Sequence, residues 1–163
     1  MIATPMPAIT KNNQQARSNQ RLTRLICSFL LAGLFSSSSL QAEEARLVVT
    51  LTGIRDDIGK LRVSLYRDPD TFRKEDKAVQ VISLAATKGE AKLAFDGLPP
   101  GRYAIMAYHD ENADQKLNLR FGMFPTEGYG LSNNPKVMGP PKFADSAFDV
   151  SAPESATSIK LSY

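Results

Sequence analysis

Arg46–Ile54 reads RLVVTLTGI and Gly59–Arg67 reads GKLRVSLYR, and these two runs decide the fold class. Leu47, Val49 and Leu51 share one face of an extended chain, as do Leu61, Val63 and Leu65, while Arg62, Ser64 and Tyr66 point the other way. Alternation with period two is the signature of a half-buried β-strand, because successive side chains leave opposite faces of the pleat. The intervening Arg55-Asp56-Asp57-Ile58-Gly59 is turn chemistry, so the two runs are expected to form a hairpin.

The same period recurs outward from this pair. Val79–Leu84 and Glu90–Phe95 read as strands broken at Thr87-Lys88-Gly89. Arg102–His109 places Tyr103, Ile105 and Ala107 on one face, and Ser146–Val150 and Thr157–Tyr163 complete the set. Asp96-Gly97-Leu98-Pro99-Pro100-Gly101 is a stiff connection, since proline fixes φ and glycine supplies open dihedrals. Asp68–Lys77 is a polar loop carrying a lone Phe72, with room for one helical turn. Seven short strands and no helical stripe predict an all-β domain, a seven-stranded immunoglobulin-like antiparallel β-sandwich.

The first 42 residues read differently. Their only charges are Lys11, Arg17, Arg21 and Arg24, all basic, ahead of an apolar run Leu25–Phe35 and of Leu40-Gln41-Ala42. That order of basic, apolar and small residues is a secretory signal, with cleavage expected after Ala42 and a single domain over 43–163. The apolar run is well short of the ~20 residues that a spanning helix needs, so no stable membrane span is expected after cleavage. The chain carries 20 Lys and Arg against 17 Asp and Glu; without the four leader residues 16 remain against 17. The basic balance therefore belongs to the leader, and no nucleic-acid patch is expected in the domain. Cys27, the sole cysteine, also lies in the leader, which excludes disulfides, thiolate metal sites and cysteine nucleophiles from the domain.

One stretch breaks the alternation. From Asp110 to about Phe143 the chain is rich in Gly, Pro, Asn and aromatics, and connections this long are often functional. Phe121, Met123, Phe124, Tyr129 and Phe143 supply apolar surface for an ordered loop that folds back on the strands. Asp110, Asn112, Asp114 and Asn118 offer oxygens at spaced positions, as calcium loops do, and Glu127 is the candidate to complete the set. Gln115 stands where a calcium loop of the standard helical type has glycine and Phe121 where it has a bidentate glutamate, so that type is excluded. The competing reading is that these side chains form Asx-turns with their own backbone. Calcium is the only candidate cofactor.

A second patch runs from Gly122 to Asn134. With Pro140, Pro141 and Phe143 it is expected to line a shallow ligand pocket, with His109, Tyr129, Ser132, Asn133 and Asn134 as contacts. His109 is the only histidine, placed at a strand end, and reads first as a structural hydrogen-bonder. No G-x-S-x-G, H-E-x-x-H or glycine-rich phosphate loop is present, so no catalytic residue is assigned.

Leu98-Pro99-Pro100-Gly101-Arg102-Tyr103-Ala104, His109-Asp110-Glu111-Asn112, Glu127-Gly128-Tyr129-Gly130, Ser132-Asn133-Asn134 and Gly139-Pro140-Pro141 with Phe143 together resemble the bacterial domain-of-unknown-function family 2141. The resemblance covers about Ala45 to Tyr163 and implies an exported or periplasmic protein with no assigned activity. The family pattern H-D-x-N-x-N-G-K-L-D is met here by a stretch that lacks the glycine and ends in Asn118. The F-x-G-L-P-P-G-x-Y stretch is also similar to prealbumin-like and carboxypeptidase-regulatory-like sandwiches, which implies a binding role by analogy.

The expected function is an exported, non-enzymatic binding or accessory module using the 110–143 loop as its interaction surface toward a small ligand or an envelope protein. Two alternatives stand beside it: a small hydrolase or isomerase using His109 with Asp110 or Glu127, and a purely structural envelope-associated protein.

Overall fold

The computed structural model describes residues 43–136 and 138–163; the signal segment and its cleavage after Ala42 lie outside the described residues. Ten β-strands run in the order β1 (Ala45–Ile54), β2 (Lys60–Tyr66), β3 (Gln80–Ala85), β4 (Gly89–Leu98), β5 (Gly101–Asp110), β6 (Leu119–Arg120), β7 (Phe124–Pro125), β8 (Tyr129–Leu131), β9 (Phe148–Val150) and β10 (Glu154–Lys160). Two short 3-10 turns, Pro69–Thr71 and Glu75–Lys77, follow β2, and one helical turn, α1 (Phe143–Ser146), precedes β9. Among the described residues no helix is long and apolar enough to cross a membrane.

The domain is all-β. The seven expected strands correspond to β1–β5, β9 and β10, and three more, β6, β7 and β8, arise within the long connection. One sheet has the order β10-β1-β4; a second is β3-β2-β5-β8, with β9 also on β5, beside its first residues; and β6 and β7 pair with each other as a two-stranded antiparallel hairpin. Leu47, Val49 and Leu51 from β1, Phe95 from β4 and Ile159 from β10 meet Leu61, Val63 and Leu65 from β2 and Tyr103, Ile105 and Ala107 from β5 in one core. All of these are fully buried, which accounts for the period-two pattern.

Two expectations are corrected. β1 and β2 do not form a hairpin: β1 pairs with β10 and β4, and β2 with β3 and β5. Their apolar faces oppose each other across the core, and turn 55–59 carries the chain from one sheet to the other. The domain is also not wholly antiparallel, because β10 runs parallel to β1, Leu47 facing Ser155 and Leu51 facing Ile159. A parallel pair requires a long crossover, and here the crossover is the remainder of the domain.

The turn between β4 and β5 is closed by a side chain. The Tyr103 hydroxyl, at the end of a fully buried ring, donates to the Pro99 carbonyl at 2.7 Å. Its arrangement is that of a tyrosine corner, in which a buried ring braces the turn leading into its own strand. Tyr103→Phe keeps the packing and removes the donor, so it should cost about 1 kcal/mol and lower Tm by roughly 4 °C. Calorimetry of the variant, with its far-ultraviolet circular dichroism unchanged, checks this.

Candidate functional site

The outer face of the β2–β5 pair is covered. Tyr66, Ala104 and Tyr108 on that face are buried, and a second apolar cluster forms over it from Tyr66, Phe72, Ala104 and Leu131, flanked by Ala78, Met106 and Phe143. Phe72 is the anchor: its ring meets Tyr66 edge-on at 5.3 Å and Phe143 at 5.9 Å. The polar stretch 68–77 is thereby pinned against the sheet, which brings Glu75 over β2 and β5.

Glu75 gathers four side chains into one hydrogen-bonded cluster. Its carboxylate accepts from the Arg62 guanidinium, from Ser64 Oγ at 3.2 Å and from the Tyr108 hydroxyl at 3.2 Å. The hydrogen bond to Glu75 holds Arg62 above the ordinary value of its guanidinium. Burial, reinforced by the Glu75 charge, pushes the Tyr108 phenol far above its usual range, so that it remains a donor. A neutralised, internally satisfied ion pair is thus set into an otherwise apolar surface.

Beside this cluster lies a groove of about 810 Å³, within the ~300–1,000 Å³ typical of small-molecule sites. Ser64, Tyr66, Met106 and Tyr108 of the sheet and Glu75 contribute to one side; Leu119, Met123, Phe124 and Pro125 of the β6–β7 hairpin, with Pro140 and Pro141, contribute apolar surface. Arg73 and Lys116 also line it. Among the described residues neither has a carboxylate within 4.0 Å, so the groove combines apolar surface with two available cations.

The loop wall is held by carboxylates turned on their own backbone. Fully buried Asp110 accepts from the N–H of Asp114 at 3.0 Å and of Gln115 at 2.9 Å, one through each oxygen. Buried Glu127 accepts from the N–H of Glu111 at 3.1 Å and of Asn118 at 2.9 Å. Asn112 Oδ1 takes the Asp114 N–H, and Asp114 takes the Lys116 N–H, both as Asx-turns. Burial raises the Asp114 carboxyl, but the amide of Asn118, the Lys116 N–H and Asn112 outweigh that and hold it below its ordinary value. Among the described residues no group of three His, Cys, Asp or Glu could hold a metal ion. The five candidate calcium ligands thus stand in one stretch of the loop: Asp110, Asn112, Asp114 and Glu127 have their side-chain oxygens on the loop's own donors, and Asn118 donates its amide to Asp114.

The five candidate ligand contacts separate. Tyr129 lines the groove. Ser132, fully buried, donates to the Ser146 carbonyl at 2.5 Å and accepts the Ile105 N–H at 2.9 Å. Asn133 donates to the Ala147 carbonyl, and Asn134 bridges the Ser158 carbonyl and the Lys160 N–H. These three fasten the β8 turn to α1 and β10, outside the groove. His109 is fully buried, with Nε2 at 2.6 Å from the Ile58 carbonyl and Nδ1 at 2.7 Å from the Tyr163 hydroxyl. Because a carbonyl only accepts, Nε2 carries the proton. In the neutral ring Nδ1 then accepts from Tyr163, whose oxygen takes the Arg55 N–H at 3.0 Å. No lone pair of this imidazole is left for substrate.

Glu75, Ser64, Met106 and Tyr108 were not among the sequence candidates. Their signal was present in the supposedly solvent-facing set of β2 and β5, where Tyr66, Ala104, Met106 and Tyr108 are too apolar for an exposed face.

The model of a family described as an uncharacterized protein conserved in bacteria (DUF2141) matches residues 49–158. No curated protein and no solved structure matches the chain.

Asp110→Ala strands the Gln115 N–H and leaves the Asp114 N–H to Asn112 alone, and should destabilise by about 1–3 kcal/mol, with Asp110→Asn intermediate. Urea denaturation checks the order. Because the loop oxygens already have donors, calcium added after EDTA should move Tm by less than about 1 °C. A rise of several degrees that Asp110→Ala removes would restore the cation loop.

Proposed function

The chain belongs to the DUF2141 family, and we propose that it is an exported, non-enzymatic binding module whose groove takes a small amphipathic molecule. The observation that carries this reading is the groove itself: a site of about 810 Å³ with apolar walls, a self-neutralised Arg62–Glu75 pair and the two cations Arg73 and Lys116. Apolar surface supplies affinity and a few placed polar groups supply orientation. A ligand with an apolar body and an acidic head matches it best.

Several features support the rest of the reading. The basic, apolar and small-residue order of residues 1–42 supports export. Two sheets sharing one core, with Tyr103 bracing a turn, support a β-sandwich related in plan to immunoglobulin-like and prealbumin-like domains. The buried, doubly engaged His109 and the internally bonded Asp110 and Glu127 favour binding over the hydrolase or isomerase alternative.

The anionic aromatic probe anilinonaphthalene sulfonate tests the groove. Its fluorescence should report saturable binding, weakened by roughly tenfold or more in Met106→Trp, which fills the groove, and in Met123→Asp, which charges its wall; a tenfold loss corresponds to about 1.4 kcal/mol. Both variants should melt as the parent does. Undiminished binding in both would remove the groove as the site.

A further inference from the structure

The hairpin tip carries apolar surface that the groove does not explain. Phe121 is 79% exposed, and Met123 and Phe124 beside it are 70% and 60% exposed. Met123 and Phe124 at least contribute to the groove, whereas Phe121 does not line it. Phe121 also sits at φ 52°, the left-handed region that a bulky side chain rarely adopts. Its ring packs into neither apolar cluster, so the fold gains no burial from it. Met138, next to groove-lining Gly139, is wholly exposed as well.

The chain that carries this tip is basic. Between Asp114 and Asp145 the exposed ionisable side chains are Lys116, Arg120, Lys136 and Lys142, and the one acid, Glu127, is buried with both oxygens on backbone N–H groups. Arg120 lies over the Phe121 ring at 5.3 Å, so a cation accompanies the most exposed aromatic. An apolar tip with Arg120 on its aromatic and Lys116 on its groove side is complementary to the headgroup region of an anionic bilayer, where aromatics sit at the acyl boundary and long cations reach the phosphates.

We propose that the β6–β7 tip, with Phe121 at its apex and Arg120 and Lys116 beside it, docks this protein on an anionic lipid surface without crossing it. The tip adjoins the groove and shares Lys116, Met123 and Phe124 with it, but Phe121 and Arg120 lie outside the groove lining, so a groove that proves empty leaves their docking untouched. It places the groove mouth beside the membrane, where amphipathic molecules reside.

The test is co-sedimentation of residues 43–163, without the basic and apolar leader, with vesicles of phosphatidylcholine, alone or mixed equally with phosphatidylglycerol. Partition should be roughly tenfold or more stronger on the mixed vesicles and fall at high salt. Phe121→Ser and Arg120→Glu should each weaken it several-fold, and Phe121→Trp should retain it; none of these side chains lines the groove, so probe binding and Tm should be unchanged. Met106→Trp should show the converse, losing the probe and keeping the vesicles. Equal partition onto both vesicle types, or partition that survives Phe121→Ser and Arg120→Glu, overturns the proposal. A concentration-dependent dimer abolished by Phe121→Ser, with no vesicle binding, assigns the tip to a second copy and overturns it equally.

Discussion

Two buried carboxylates hold the loop that forms one wall of the groove. Asp110 ends β5 and Glu127 stands just before β8, and between them the chain leaves the sheet and returns. Each carboxylate accepts two backbone N–H groups of the excursion, Asp110 from 114 and 115 and Glu127 from 111 and 118. A carboxylate is suited to this, because it offers two acceptor oxygens and bonds to a charged acceptor are stronger than neutral ones. Buried backbone amides need partners, and an irregular loop has no ladder to provide them. The loop thus forms its wall of the groove with its backbone N–H groups met by its own side chains rather than by a long strand pairing.

The neighbouring residue does related work in the other direction. His109 links the Ile58 carbonyl in the first turn to the hydroxyl of Tyr163, the last residue. Arg55 adds its N–H to that hydroxyl, stacks on the Tyr163 ring at 4.5 Å and pairs with Glu111. A Cβ at Gly128 would come within 2.3 Å of the Tyr163 ring, so a larger residue there would push that ring away from His109 and Arg55. The chain end, the first turn and both ends of the loop root are joined at one corner, and the Tyr129–Ser162 bridge links the two sheets beside it.

The groove exists because one sheet is covered on both faces. The inner face of β2 and β5 meets the shared core; the outer face carries Tyr66, Ala104, Met106 and Tyr108 and is roofed by Phe72, Phe143 and the hairpin. The roof is incomplete, and the groove is the gap between the 68–77 segment and the hairpin. Glu75 makes the gap polar at one point without leaving a bare charge, because Arg62, Ser64 and Tyr108 all donate to it.

The strand segments were legible in the sequence, because alternation reports burial of one face and each of Leu47, Val49, Leu51, Leu61, Val63 and Leu65 is buried as its position requires. The long loop was legible too, from its broken period and its aromatics, and Tyr129, Pro140 and Pro141 do line the groove. Partnership was not legible. Leu47–Leu51 and Leu61–Leu65 look the same whether their strands lie side by side or face to face, so the expected hairpin became two opposed strands and β10 came to lie parallel to β1. Nor was it legible that Ser132, Asn133 and Asn134 fasten the β8 turn while Glu75, from an unremarkable polar stretch, reaches the groove. Local patterning determines which residues are buried and where the chain bends, since those depend on neighbours in sequence. Which strands pair, and which polar groups converge, depend on contacts between residues far apart in the chain, and those only the packed domain decides.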